Sequence, residues 1–167
     1  MNNIEDKCRA LWSEVFGDSS SFIEQFMSRY YKRKNLLYIE EDGALCSMLH
    51  LVPFTHNSST IGIVYALATA PSSRSKGYAT RLLQLAIKTA KERNYTHIAL
   101  IPAEPELFSY YSKQGFTGKY RVEFTLPDNF DFGIDDKENQ WLTIYPIEQS
   151  LSSLPLDKTI TLAWEVE

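Results

Sequence analysis

The sequence predicts an α+β fold, a three-layer α/β arrangement in which helices cover both faces of a mixed, mostly antiparallel central sheet. Two amphipathic helical segments come first, strand-like segments with turn signals follow, and another amphipathic helix begins soon after the third strand. Because the 167 residues contain no internal repeat and no linker, we expect a single domain over residues 1–167.

The predicted helices are marked by apolar residues that recur every three or four positions. The first stripe stops at Gly17, and Asp18 with the serines behind it can cap the second helix. The fourth helix is short and ends at Gly115. The expected bounds are Ile4–Phe16, Phe22 to about Arg33, Tyr78 to about Arg93, and Glu106–Gln114.

The predicted strands are short apolar runs between turn residues. An Asp-Gly pair at Asp42 and Gly43 predicts a hairpin between the first two strands, and Pro71 ends the third. Residues 141–147 fit either a strand or irregular structure. The expected strands are Leu36–Ile39, Ala44–Phe54, Thr60–Ala70, Thr96–Ile101, Phe116 to about Leu126, and Thr159–Val166.

The composition narrows the classes of partner and compartment. The net charge of −4 argues against non-specific nucleic-acid binding and mildly favours cationic substrates. The start of the chain has no signal-peptide pattern, no apolar run approaches the length of a membrane helix, and Cys8 and Cys46 have no paired spacing. We therefore expect a cytoplasmic protein with reduced cysteines and no membrane partner. The acidic segment 128–138 fails the calcium-loop spacing, so we expect a solvated loop and no metal.

The stretch from Tyr65 to Ala79 is the most informative part of the chain. It predicts an apolar strand, a short loop and the first turn of a helix, which directs unpaired backbone N–H groups and the positive end of the helix dipole at one point. Arg74 and Lys76 add positive charge, and Gly77 has no Cβ to hinder an anion. The stretch therefore predicts a site for a pyrophosphate.

Two motifs in this order resemble the GNAT acyltransferase superfamily. Residues 74–79 (Arg-Ser-Lys-Gly-Tyr-Ala) fit the pattern Arg/Gln-x-x-Gly-x-Gly/Ala, and residues 111–116 contain the element Tyr-x-x-x-Gly-Phe. The resemblance spans roughly Leu36 to Phe116. It implies that the strand before the loop and the strand Thr96–Ile101 start parallel and splay apart.

The resemblance also implies acetyl-CoA as co-substrate, with no metal. The diphosphate would lie against the backbone of the loop and helix start, and the pantetheine arm would pair like an added strand with the third strand, as its two amides require partners. The implied cofactor-binding residues are Leu67, Ala68, Thr69, Arg74, Ser75, Lys76, Gly77, Tyr78, Ala79 and Thr80.

The resemblance supplies one catalytic residue, Tyr111, as a hydrogen-bond donor or general acid near the CoA sulfur. The alternative is a purely structural role, in which Tyr111 is only a core aromatic residue of a short helix. A general base is not singled out: His50 is more often a core or surface histidine, and Glu104, Glu106 and Glu165 are no better candidates.

The leading functional expectation is an N-acetyltransferase in which an amine of a small molecule or peptide directly attacks the acetyl carbonyl. A non-catalytic acyl-CoA-binding sensor or partner module is the alternative. A nucleotide-phosphate site of another fold is disfavoured, since both the Rossmann and the P-loop patterns are absent. The choice of the amine that accepts the acetyl group would be determined by the first two helices, residues 53–59 and the acidic segment. Edge strands at the carboxyl end leave a homodimer open.

Overall fold

The computed structural model describes residues 3–126, 141–147 and 160–164. The predicted acidic loop at 128–138 and Glu165 lie outside these ranges. The helices are α1 (Ile4–Phe16), α2 (Ser20–Arg29), α3 (Tyr78–Glu92) and α4 (Leu107–Lys113), and 3₁₀ turns occupy Arg33–Asn35 and Pro71–Ser73. The strands are β1 (Leu36–Glu41), β2 (Ala44–His56), β3 (Ser59–Thr69), β4 (His97–Leu100), β5 (Thr117–Thr125), β6 (Trp141–Pro146) and β7 (Ile160–Trp164).

The two leading helices begin where side chains can cap them. The side chain of Asn3 accepts a hydrogen bond from the Asp6 N–H, and Ser19 does the same for Phe22. Helix α1 has the predicted bounds and ends at Gly17, which has a left-handed φ of 70°. Helix α2 ends four residues before the predicted Arg33, because the N–H groups of Tyr30 and Tyr31 both turn back to the Phe26 carbonyl.

Seven strands form one hydrogen-bonded sheet in the order β1-β2-β3-β4-β6-β5-β7, with an additional β2–β7 pairing. The recorded antiparallel pairs are β1–β2, β2–β7, β4–β6 and β5–β6, which confirms the mixed, mostly antiparallel sheet. The predicted parallel pair is β3–β4, whose register covers Ile61–Ile63 and His97–Ala99. A second parallel pair, β5–β7, was not expected.

The hairpin between β2 and β3 is tighter than predicted. Both strands extend into the expected turn, so only Asn57 and Ser58 connect them, with φ of 47° and 68°. Two consecutive left-handed residues are the geometry of a type I′ turn, whose twist matches that of the flanking strands. Residues 141–146, for which the sequence left two options open, form the strand between β4 and β5.

The chain divides into two compact units. The first contains residues 1–52 and 64–86, and its buried aromatic residues include Trp12, Phe26 and Tyr30. The second contains residues 53–63 and 87–167, with Phe54, Phe116 and Tyr120 among its buried rings. No helix in the described ranges is long and apolar enough to cross a bilayer.

The end of α4 gives the Tyr-x-x-x-Gly-Phe element a structural explanation. The Phe116 N–H donates to the Tyr111 carbonyl at 3.1 Å, and the Gly115 N–H donates to the Ser112 carbonyl at 3.0 Å. These two hydrogen bonds are the pair that defines a Schellman cap. The rings of Tyr111 and Phe116 lie 5.9 Å apart, as the apolar contact of such a cap requires. Gly115, with φ of 101°, supplies the left-handed residue.

We predict that Gly115→Ala destabilises the protein more than Gly17→Ala. Both glycines end a helix with a positive φ, so both substitutions carry the left-handed penalty of about 1 kcal/mol. A Cβ at Gly115 would also lie 2.7 Å from the Tyr145 ring, whereas a Cβ at Gly17 meets nothing within 4 Å. Urea unfolding of both variants measures the difference, and equal losses of unfolding free energy would contradict this role of Gly115.

Candidate functional site

The strand end that leads into the predicted anion site is held by β2. The Ala70 N–H donates to the Cys46 carbonyl at 2.8 Å, and the Ser47 hydroxyl donates to the Ala68 carbonyl at 3.1 Å. The Ser47 and Thr69 hydroxyl oxygens are 3.0 Å apart. Since Ser47 is fully buried, these bonds fix the backbone direction at the end of β3.

The loop from Arg74 to Gly77 has an unusual backbone. Ser75 and Gly77 have positive φ values of 64° and 80°, and they alternate with Arg74, which is extended, and Lys76. Left-handed residues in a turn help neighbouring backbone N–H groups to face one common anion. A Cβ at Gly77 meets no protein atom within 4 Å, so its positive φ, rather than crowding by the protein, favours glycine here.

The backbone N–H groups of this loop precede the hydrogen-bonded turns of α3. The first hydrogen bond of α3 runs from the Arg81 N–H to the Gly77 carbonyl at 3.0 Å. Within the described ranges, no acceptor is recorded for the backbone N–H groups of residues 74–79. Because the first N–H groups of a helix have no intrahelical partner, this turn is chemically suited to an anion.

The side chains of the loop differ in what they contribute. Lys76 is exposed, and the Arg74 Nε donates to the Thr69 carbonyl at 3.3 Å, so Arg74 closes the loop as well as supplying charge. Tyr78 is buried, and the hydrogen bond that it donates to the Glu41 carboxylate, together with burial, raises its pKa to about 12. A ligand at the loop would therefore meet the Tyr78 N–H rather than its hydroxyl.

Strand β3 contains one feature that the sequence pattern does not predict. Ala66 has a φ of 53° in the middle of the strand, directly before the predicted pantetheine-binding residues Leu67, Ala68 and Thr69. A left-handed non-glycine residue costs about 1 to 3 kcal/mol and is concentrated at functional sites. Alanine has no preference for this conformation, so no sequence signal could have revealed it. Leu67 and Thr69 are half-buried, and Ala68 is buried.

Tyr111 lies on α4 and is half-buried, with its ring 5.1 Å from Tyr110 and 5.9 Å from Phe116. Burial, with a smaller effect of Tyr110, raises its pKa to about 12. The phenol is therefore protonated at neutral pH, as a hydrogen-bond donor must be. The Tyr111 ring packs against Phe116 in the cap of α4, which is a structural role. This role does not depend on the hydroxyl.

His50 lies in the first unit among aromatic rings. Its ring centroid is 4.9 Å from Phe26 and 5.8 Å from both Trp12 and Tyr31. Burial lowers its pKa to about 3, and neither ring nitrogen has a recorded partner in the described part of the chain. A histidine that resists protonation so strongly is a poor general base at neutral pH, so the core interpretation is favoured.

The described residues contain few other groups that could bind a metal ion or act as a nucleophile or base. They contain no group of three or more His, Cys, Asp or Glu side chains able to hold a metal ion. Cys8 and Cys46 are buried and not paired with each other, and burial raises the pKa of the Cys8 thiol to about 12. Of the weaker base candidates, Glu104 and Glu106 are exposed at the start of α4.

The strand, loop and helix at residues 59–92, within a mixed sheet, form the arrangement that the resemblance to the GNAT superfamily implies. Residues 3–118 match the family described as "Acetyltransferase (GNAT) domain". Since this match covers more than half of the chain, the chain belongs to the GNAT acetyltransferase family. A comparison with curated protein sequences gives no match.

Solved structures share the fold at low sequence identity. A GNAT-family N-acetyltransferase from Escherichia coli (YhbS), in complex with CoA, has a TM-score of 0.68 and 14% identity over 99% of this chain and 87% of its own. N-acetylglutamate synthase from Neisseria gonorrhoeae, complexed with CoA and N-acetyl-glutamate, gives 0.61 and 16% over 89% of this chain and 34% of its own. A probable N-acyltransferase from Enterococcus faecalis gives 0.58 and 14% over 70% and 30%. This chain thus spans only about a third of the last two proteins.

We predict that His50 makes the protein less stable in acid. The unfolded histidine has a pKa of about 6.5, whereas the folded one has a pKa of about 3, so between these values only the unfolded state binds the proton. Stability therefore falls as the pH drops from 6.5 towards 3, by up to about 1.4 kcal/mol per pH unit from this residue.

The comparison of wild type with His50→Leu, by urea unfolding at pH 7 and pH 4.5, isolates this contribution. The variant should lose less stability between the two pH values than the wild type does. Leu51→Ala is the control, because it deletes buried apolar volume and should cost the same at both pH values. Equal pH dependence in wild type and His50→Leu would contradict the assignment.

Proposed function

We propose that this chain is an acetyl-CoA-dependent N-acetyltransferase acting on an amine of a small molecule or peptide. The observation that carries the proposal is the group of N–H donors at residues 74–79, which have no recorded acceptor in the described ranges and lie in a loop with positive φ at Ser75 and Gly77. Membership of the GNAT family supports acetyl-CoA as the ligand. Two of the three solved structures described above contain CoA.

In the proposed binding mode, the diphosphate accepts hydrogen bonds from the loop and from the first turn of α3. Lys76 and Arg74 add positive charge, and Thr80 lies in the first turn of α3. The pantetheine amides pair with the backbone of β3 at Leu67–Thr69. The left-handed Ala66 supports this arrangement, because a local distortion of a strand changes the direction of the neighbouring peptide groups.

The proposed reaction is a direct transfer. The neutral amine nitrogen attacks the acetyl carbonyl carbon, a C–N bond forms, the C–S bond breaks, and the amine loses a proton while the CoA thiolate gains one. Holding both reactants together removes part of the entropic barrier, several kcal/mol in favourable cases. A backbone N–H near Leu67 would stabilise the oxyanion, worth about 3 kcal/mol by analogy with other oxyanion holes.

Tyr111 is proposed as the hydrogen-bond donor to the leaving sulfur. A raised pKa makes full proton transfer from the phenol to a thiolate more uphill than it would be from an ordinary tyrosine. The hydroxyl would therefore act by donating a hydrogen bond as negative charge develops on sulfur. The location is proposed to be cytoplasmic, which agrees with two buried cysteines that are not paired with each other.

Turnover is tested by the release of free CoA thiol from acetyl-CoA with polyamines, amino acids, aminoglycosides and peptides with a free N-terminus. At least one acceptor class should give release proportional to enzyme concentration, with little background from the protein, because both of its cysteines are buried. If CoA stabilises the protein against unfolding but no acceptor gives thiol release, the result would instead support the alternative of a non-catalytic acyl-CoA-binding module.

We predict that Tyr111→Phe lowers kcat by about 10- to 1000-fold, the range of general acid catalysis. The substitution keeps the ring that packs on Phe116 and removes only the hydroxyl, so the helix cap should survive. Tyr110→Phe, which changes the exposed neighbour, is the matched control and should leave kcat unchanged. An unaltered kcat of Tyr111→Phe with saturating acetyl-CoA would remove the assignment.

A further inference from the structure

The Ser47 side chain on β2 bonds to two consecutive residues at the end of β3. Its hydroxyl donates to the Ala68 carbonyl at 3.1 Å, and its oxygen lies 3.0 Å from the Thr69 hydroxyl oxygen. Because a serine hydroxyl has a single hydrogen, which Ala68 receives, the Thr69 hydroxyl must be the donor in the second bond. Ser47 is fully buried, so without it neither group would have water as a substitute partner.

The bond to Ala68 also sets the direction of the next backbone N–H. A trans peptide group is planar and directs its N–H opposite to its carbonyl, and no cis peptide bond occurs in the described part of the chain. Since Ser47 holds the Ala68 carbonyl on the β2 side, the N–H of Thr69 is directed to the other side of β3. The recorded pairing on that side, with β4, covers only Ile61–Ile63.

The backbone before Ala68 explains why a side chain is needed here. Ala66 has a φ of 53°, which interrupts the regular alternation of peptide groups along a strand. The strand ladder alone therefore does not set the direction of the peptide groups that follow. A left-handed alanine is also strained, and such a conformation persists only where the surrounding structure holds it. The bond from Ser47 supplies part of that support.

We propose that Ser47 is a positioning residue for the pantetheine arm of acetyl-CoA and acts through the backbone of Thr69. The Thr69 N–H donates to an amide carbonyl of the arm, and Ser47 holds the carbonyl at the other end of the same peptide group. Hydrogen bonds weaken steeply when they are misaligned, so rotation of this peptide group weakens the bond to the arm. The inference rests on the proposed function, because it concerns the same co-substrate.

The test is Ser47→Ala, which removes the hydroxyl and adds no volume. Calorimetric affinities are measured for CoA and for adenosine 3′-phosphate 5′-diphosphate, which has the diphosphate without the arm. The CoA affinity should fall about three- to tenfold, as for the net loss of one hydrogen bond, while the nucleotide affinity stays unchanged. In turnover, the KM for acetyl-CoA should rise by a similar factor with kcat at saturation unchanged, because the arm is bound equally in the ground and transition states.

Thr143→Val is the matched control for a purely structural effect. Thr143 is buried, and its hydroxyl donates to the Thr117 carbonyl at 3.1 Å, so the variant removes a bond of the same chemistry elsewhere in the sheet. Both variants should unfold at lower urea concentration than the wild type. Only Ser47→Ala should lower the ratio of CoA affinity to nucleotide affinity.

A measurement on the wild type tests the same bond if Ser47→Ala does not fold. In NMR spectra, the amide proton of Thr69 should shift downfield and exchange more slowly with solvent when CoA is bound. The nucleotide without the arm should cause neither change. An amide proton of Thr69 that is the same with either ligand at saturation would overturn the proposal.

The outcomes separate this inference from the proposed function. A wild-type protein that binds no CoA would overturn the proposed function itself. If the wild type binds CoA, but Ser47→Ala leaves both affinities unchanged or weakens CoA and the nucleotide equally, the positioning role is overturned and the proposed function stands.

Discussion

The site depends on one constraint: the backbone of residues 74–79 must lead from a strand end into a helix while its N–H groups have no recorded acceptor in the described part of the chain. Positive φ values at Ser75 and Gly77 make this turn, and the bonds from β2 to Ala68 and Ala70 fix where it begins. Unpaired N–H donors are costly unless water or a ligand satisfies them. A turn held in this conformation by the surrounding structure is therefore prepared for an anion.

The tyrosines of the chain show how one residue type serves different purposes. Burial is the larger cause of the raised pKa of Tyr31 and its bond to Glu5 the smaller, whereas for Tyr78 the bond to Glu41 is the larger cause. Burial also raises the pKa of Tyr111, with a smaller effect of a second phenol and none of a carboxylate. Its ring packs in a helix cap, and the role of its hydroxyl in catalysis is a proposal that turnover of Tyr111→Phe tests.

Local features were predictable from the sequence, because they depend on neighbouring residues. Helix α1 has the expected bounds since Asn3 and Gly17 cap it, and the strand–loop–helix at residues 65–79 lies where the apolar pattern and the glycine placed it. The parallel pairing of β3 with β4 was expected from family resemblance alone. The proposed site residues themselves remain predictions, because only ligand binding and turnover can test them.

The features that escaped prediction are non-local or conformational. The parallel β5–β7 pair and the place of β6 between β4 and β5 depend on contacts between distant segments. The left-handed Ala66 has no compositional signal. The Tyr78–Glu41 bond joins residues that are far apart in sequence, and the early end of α2 reflects a backbone turn at Tyr31.

The most direct measurement is a calorimetric titration of CoA into the wild-type protein, with Gly77→Ala and Gly17→Ala alongside. The account predicts saturable heat with one CoA per chain, a clear weakening for Gly77→Ala, whose backbone must leave a φ of 80°, and wild-type affinity for Gly17→Ala. No heat at millimolar CoA, or equal affinity in all three proteins, would contradict the claim that the amides of residues 74–79 hold a diphosphate.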